Sequence, residues 1–201
     1  MELFLTVLVL VSSQFSIWAA GGSLPVLVHD FAGVAPNVLA RAEVEASRVL
    51  ATAAVDVQWI NCTDSSTDPE PCRRLPDATA LVVQILPAEA STHGVEPDAL
   101  GFAAPPDPSV SGRYAGVFFG RVASRANGQL RTEVLLGHVI AHELGHLLLG
   151  LGGHARSGIM SGTWDAKTLH QAERGQLVFD QLQRSRIEKN VVQRSWAALR
   201  Q

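Results

Sequence analysis

Charge is scarce in this 201-residue chain: Asp, Glu, Lys and Arg make up 17% of it and the net charge is only −3. No basic field is available to hold a phosphate backbone, and the basic residues that do gather (Arg184, Arg186, Lys189, Arg194) lie among acids near the C-terminus, so nucleic acid is not an expected partner. Internal repeats and low-complexity tracts are absent, which removes solenoids and fibrous arrays. Cysteine occurs only at positions 62 and 72, and methionine only once after the initiator, at Met160. What is plentiful is apolar: 47% of the residues are hydrophobic. That is enough for one domain with a buried core, and too much for a disordered chain.

The first residues are the most apolar. Leu3 to Val11 form a run of signal-peptide length, and the small residues Ala19 to Gly22 offer a cleavage site, so residues 1–21 are predicted to be a secretory signal. Glu2 stands where a signal would carry Lys or Arg, and the run to Ile17 leaves an uncleaved anchor as the alternative. A membrane association is expected only in that case. The domain is then 22–190, the tail 191–201, the location secreted or periplasmic, and the state monomeric. Cys62 and Cys72 agree with export, because they bracket a polar loop that one bridge can close. Closing so short a loop contributes roughly 2–3 kcal/mol through chain entropy.

Periodicity gives the order of elements. Leu24 to Val34 reads as a strand stopped by Pro36 and Asn37. Asn37 to Ala53 reads as an amphipathic helix, with Val38, Ala42, Val49 and Ala53 on one face and Arg41, Glu45 and Arg48 on the other. Val55 to Cys62 alternates as a half-buried strand, and Thr79 to Pro87 reads as a buried one. The stretch Leu100 to Ala104 is a short strand between Pro- and Gly-rich loops, suited to a sheet edge. Gly112 to Val122 is predicted as a stronger strand, Ala123 to Thr132 as a turn, and Glu133 to Gly150 as a long apolar helix. Asp165 to Arg186 closes the list as one amphipathic helix through Leu169, Leu177, Val178 and Leu182.

On the apolar helix stands "HELGH", His142 to His146. One helical turn separates the two histidines, so both imidazoles reach one ion. Glu143 has almost no polar company among Val139, Ile140, Leu144, Leu147 and Leu148, and a carboxylate there is costly unless a cation compensates it. A zinc ion does so, and Glu143 is then placed to act as general base toward a zinc-bound water. With seven histidines and ten glutamates in the chain, the pattern arises by accident with a frequency of roughly 0.01. The third ligand must come from beyond the helix. Gly150 can end it, Gly152 and Gly153 give the return freedom, and His154 lies an extended reach of about 13 Å beyond Gly150, where about 6 Å is needed. His138 could line a cleft or be a locally bonded helix residue, Trp164 could wall a pocket or pack in the core, and His29, His93 and His170 have no partner spacing.

"HELGHLLLGLGGH" followed by "SGIM" resembles the metzincin zinc peptidases, matrixin-like in outline, whose pattern is HExxHxxGxxH with a later Met-turn. It particularly resembles small secreted bacterial metzincin-like proteins of no assigned substrate. The resemblance spans Leu24 to about Arg186 and implies an α+β zincin-like fold: a twisted mixed sheet with an antiparallel edge strand, an active-site helix, a Met-turn and a C-terminal helix. It implies one catalytic zinc on His142, His146 and His154, the base Glu143, Met160 beneath the metal, and a peptide or protein substrate laid along Gly101, Phe102 and Ala103 beside Trp164. The glycine comes one residue later than in the pattern and the third histidine two later. The extra loop costs a few tenths of a kcal/mol. "PCRRLPD" faintly resembles the cysteine-switch motif of matrix metalloproteases, without its glycine, and would make Cys72 a metal cap in place of a bridge partner. Two other readings stay open: a non-catalytic zinc-stabilised binding module, and a glutamate-liganded zincin in which Glu173 replaces His154.

Overall fold

The apolar strands assemble in a crossed order. A computed structural model of the chain describes residues 23–63, 69–73, 79–90, 94–104, 112–128, 130–150 and 154–198. The predicted signal, His93, Gly152 and Gly153 lie outside the described residues. Strand β1 (Leu24–Asp30) lies inside the sheet, parallel to the edge strand β2 (Val57–Cys62) on one side and to the central β3 (Leu81–Leu86) on the other. Next to β3, β5 (Tyr114–Phe118) is again parallel, and the three-residue β4 (Gly101–Ala103) closes the edge antiparallel to it. The order β2-β1-β3-β5-β4 makes a five-stranded, mostly parallel sheet in a mixed α+β fold. Near-continuous apolar sequence in β1 and β3 is what a strand covered on both faces requires.

The two faces separate by the strand period. Val26, Val28, Leu81, Val83, Ile85 and Val117 point into the main core with the helices, while Leu27 and Val82 point the other way, into a small cluster with Ala80 and Cys62. The second cluster is where Cys62 and Cys72 are bridged, Cys72 lying in the short 3-10 turn Glu70–Arg73. No thiol is free among the described residues, so the metal-capping role for Cys72 falls.

Helix α1 (Pro36–Ala51) crosses from β1 to β2 and buries Leu39, Ala42, Ala46, Val49 and Leu50. The preceding strand stops at Asp30, short of the predicted Val34, because the Asp30 carboxylate accepts the N–H groups of Ala32 (3.0 Å) and Val34 (2.7 Å) and turns the chain. A second correction concerns the strand predicted to run to Val122. It ends at Phe118, whose register partner Leu86 is the last residue of β3, and Phe119–Ala126 forms helix α2. Val122 and Ala126, one turn apart, enter the core while Arg125 stays outside, so the helical period wins once the sheet has run out.

Helix α3 (Thr132–Leu149) lies across the sheet against α1 and is buried almost all round, from Val134 to Leu148. An apolar helix of this kind is held by packing on every side; Leu144→Ala there would cost about 2–5 kcal/mol. The single helix predicted from Asp165 to Arg186 is two. Helix α4 (Ala166–Glu173) ends where Gly175 takes φ +67°, and α5 (Gln181–Ala198) begins at a reciprocal cap. There Gln183 N–H donates to the Asp180 carboxylate at 2.8 Å and Asp180 N–H donates to the Gln183 side-chain oxygen at 2.9 Å. The split leaves Leu182 exposed, not in the core, and turns most of the predicted tail into helix. Among the described residues no helix is long and apolar enough to cross a membrane.

Candidate metal centre

Helix α3 carries the first two candidate ligands. His142 Nε2 and His146 Nε2 are 3.1 Å apart, close to the edge of about 3.3 Å that a tetrahedron with 2.0–2.1 Å metal–nitrogen bonds would have. His142 is fixed from behind: its Nδ1–H donates to the Ile159 carbonyl at 2.6 Å. With the proton held there, Nε2 presents a bare lone pair toward His146. Burial, with the neighbouring His146 and His154 adding to it, pushes the His142 pKa down to about 3 against the Ile159 hydrogen bond. Its imidazole is therefore neutral at any ordinary pH, the form that binds a metal.

The chain after α3 brings the third histidine back. Gly150 takes φ +75°, a conformation that a side chain strains, and the helix stops at Leu149. The Leu148 carbonyl freed by this ending accepts the Asn190 side-chain N–H of α5 at 2.8 Å. On the far side of the loop, Ala155 N–H donates to the Met160 carbonyl at 2.7 Å and Ala155 pairs with Ser161 in an isolated bridge. That bond sets His154 beside the turn that contains Met160. One nitrogen from each of His142, His146 and His154 lies within 4.8 Å of the other two, and their ring centroids are 4.7, 5.4 and 5.0 Å apart. Three imidazole nitrogens converging from the helix and from the chain beyond it make a donor set that fits one zinc ion.

Met160 is 2% exposed and packs its thioether against α3 at Gly145, where an added Cβ would meet the sulfur at 2.7 Å. It lies under the histidine-bearing turn of the helix. Glu143 is 5% exposed, and burial alone pushes its pKa up to about 8. A carboxyl so placed is ionised at neutral pH only if a cation stands near it, which is the same requirement that its apolar sequence context expressed.

A cleft of about 610 Å³ opens over these groups, with Gly101 and Leu100 on the sheet side, Glu96 and Asp98 at the rim, and Ser161 to Trp164 across from them. Trp164 does wall it, edge-on to His142 at 5.6 Å, with its carbonyl accepting from Arg125 at 2.5 Å. Of the edge-strand residues, only Gly101 lines the cleft. Phe102 sits on the opposite face, over Gly116 and against Phe118 at 5.8 Å, and Ala103 packs toward the main core. Alternation along β4 dictates this; what the strand offers to an extended substrate laid along Gly101, Phe102 and Ala103 is its outer backbone edge, which pairs with no other strand among the described residues.

Glu173 is at the other end of α3. Its carboxylate accepts from Arg131 Nε at 3.0 Å and from the Arg131 N–H at 3.4 Å. Eleven residues separate Arg131 from His142, about 16 Å along the axis, so the glutamate-liganded alternative fails on distance. His138 does not line the cleft either. It is fully buried, with Nδ1–H donating to the Val134 carbonyl at 2.8 Å and Glu45 3.5 Å away. Two anchors were invisible in the sequence: the Ile159 carbonyl, because a backbone oxygen has no residue signature, and Arg125, because its segment reads as a turn.

Compared with protein-family models and with curated proteins, the sequence matches none. Among solved structures, the archaemetzincin of Methanopyrus kandleri superposes with a TM-score of 0.54, covering 86% of this chain and 98% of that one. The fold is similar to that of archaemetzincin. Identity between the two is 20%, so the likeness to archaemetzincin is one of architecture, and the chemistry has to be argued from the residues in place here.

Proposed function

We propose that this chain is a secreted zinc endopeptidase of metzincin type, with a zincin-like, matrixin-related catalytic domain. The observation that carries the reading is the convergence of His142, His146 and His154 beside a buried, otherwise uncompensated Glu143. A fold like that of a protein named as a metzincin supports it. His142, His146 and His154 would hold the zinc. When bound, the ion would polarise a scissile carbonyl and acidify a water.

The chain's own residues do the rest. Glu143 takes a proton from the attacking water at a carboxylate oxygen and can pass it to the departing amine. The Ile159 carbonyl keeps His142 in the tautomer that leaves Nε2 free. The free edge of β4 can pair with an extended peptide, whose backbone then runs past Glu143 along the cleft. A purely structural zinc site would close with a fourth ligand and has no use for a base, so Glu143 favours the peptidase over a binding module. The deciding experiment is zinc analysis of the purified mature domain together with cleavage of a peptide library. One zinc per chain with cleavage that a chelator abolishes is expected; zinc without cleavage of any peptide would leave the binding module.

A further inference from the structure

Glycine at position 101 has no backbone reason to be there. It is the first residue of β4, pairs with Val117 of β5, and is not among the positive-φ residues, so its conformation is one that any residue could adopt. The reason is space. A Cβ built on Gly101 would stand 2.8 Å from Glu143 Oε1, 2.9 Å from Glu143 Cγ and 2.8 Å from the Gly116 carbonyl oxygen. Unstrained contacts between heavy atoms of this kind begin at about 3.5 Å. The Glu143 side chain thus fills, together with the Gly116 carbonyl oxygen, the volume that any other residue at 101 would occupy.

Nothing else polar holds that side chain. Among the described residues Glu143 makes no hydrogen bond or ion pair, and burial is the sole influence on its carboxyl. Its Cα is fixed in the middle of α3, and a helix residue has few rotamers to retreat into. The alternation of β4 makes the requirement local: Phe102 lies on the other face, its ring over Gly116, and Ala103, back on the same face, packs against the main core.

We propose that Gly101 is a positioning residue for Glu143: the missing side chain on the edge strand is the seat in which the carboxyl is held by packing alone. Its catalytic consequence rests on the peptidase reading above, but the seat itself is a steric property of the chain. The same strand whose free edge would pair with a peptide then also sets the distance between that peptide and the base.

The test is a double-mutant cycle read on zinc-free protein, so that it does not depend on activity. Gly101→Ala is made in the wild type and in Glu143→Ala, and urea midpoints are compared. Removing the Glu143 side chain takes away two of the three close atoms and leaves only the Gly116 oxygen. Gly101→Ala should therefore lower the midpoint in both backgrounds, through the Gly116 oxygen that remains, and lower it further in the wild type by the part that Glu143 adds. An equal shift in both backgrounds overturns the proposal, because the strain would then belong to the β4–β5 ladder. If Gly101→Ala alone does not fold, a folded double variant supports the seat, and an unfolded double variant beside a folded Glu143→Ala refutes it. With zinc restored, Gly101→Ala should keep the metal and KM while kcat falls on the order of ten- to a hundredfold, the usual result of a small misplacement. Unchanged kcat with full zinc also overturns it. Should the wild type bind no zinc and cleave nothing, the peptidase reading fails while the cycle still reports on the seat.

Discussion

Replacing His154 and Glu173 by alanine, one at a time, separates two ways of completing the metal centre. His154 is exposed and lies outside helix α3, so its loss should change the stability of the zinc-free fold by no more than about 0.5 kcal/mol. Its effect on the metal should be large. Protein zinc sites are worth about 10–16 kcal/mol in all, roughly 3 kcal/mol or more per ligand, and 3 kcal/mol is a factor of more than about 100 in dissociation constant. Glu173 is engaged with Arg131 in an ion pair that is 34% exposed on the glutamate side and 62% on the arginine side. A pair of that kind contributes about 0–1 kcal/mol, and it sits at the opposite end of α3 from the histidines. The assay is competition with a chromophoric chelator at graded concentration, with circular dichroism confirming that each variant is folded. His154→Ala should release zinc at a chelator concentration that wild type and Glu173→Ala both withstand. Zinc lost from Glu173→Ala but retained by His154→Ala would refute the geometry of the site and the choice of third ligand together.

Three further outcomes are expected. Glu143→Ala should retain one zinc per chain, by metal analysis, while peptidase turnover falls by about 10²–10⁴, the range for loss of a general base; wild-type turnover in the variant would remove Glu143 from the mechanism. Unreduced, unfolded protein should show no titratable thiol, and reduction of Cys62–Cys72 should lower stability by about 2–3 kcal/mol. Burial holds the His138 imidazole below its usual range, in spite of the Val134 carbonyl and Glu45, so the unfolded chain takes up a proton that the folded one refuses. The contribution of His138 to the stability of the zinc-free protein is then full above about pH 6.5 and falls as pH drops below it, by up to about 1.4 kcal/mol per pH unit. His138→Gln should flatten the acid side of a urea-midpoint profile, and parallel profiles for variant and wild type would count against the burial argument.

The sheet was legible wherever a strand carries its own period. Leu24 to Asp30 and Leu81 to Leu86 are apolar because both faces are covered, and Leu100 to Ala104 announces an edge by being short and flanked by Gly and Pro. Strand order was not legible, since residues in β1 say nothing of whether β2 or β3 stands beside them. Two of the three misplaced boundaries, at Phe118 and at Gly175, share a cause: the apolar periodicity continues across both, and only the end of the register with Leu86 and the positive φ of Gly175 show where one element stops.

In the site, what could be read was the geometry that one element fixes by itself. A helix places His142 and His146 together regardless of the rest of the fold, and the 3.1 Å between their nitrogens is set by helical spacing. His154 could be inferred from reach alone, but its placement depends on Ala155 bonding to the Met160 carbonyl, a contact between backbone groups that no side chain encodes. Glu143 divides the same way. Its apolar neighbours on α3 mark it as costly, yet what seats it is the absence of a side chain at Gly101, more than forty positions earlier on the edge strand. A missing atom leaves a sequence signal only as a glycine, and this one has an ordinary backbone. Only with β4 laid against α3 does a residue chosen for space differ from a residue chosen for a turn.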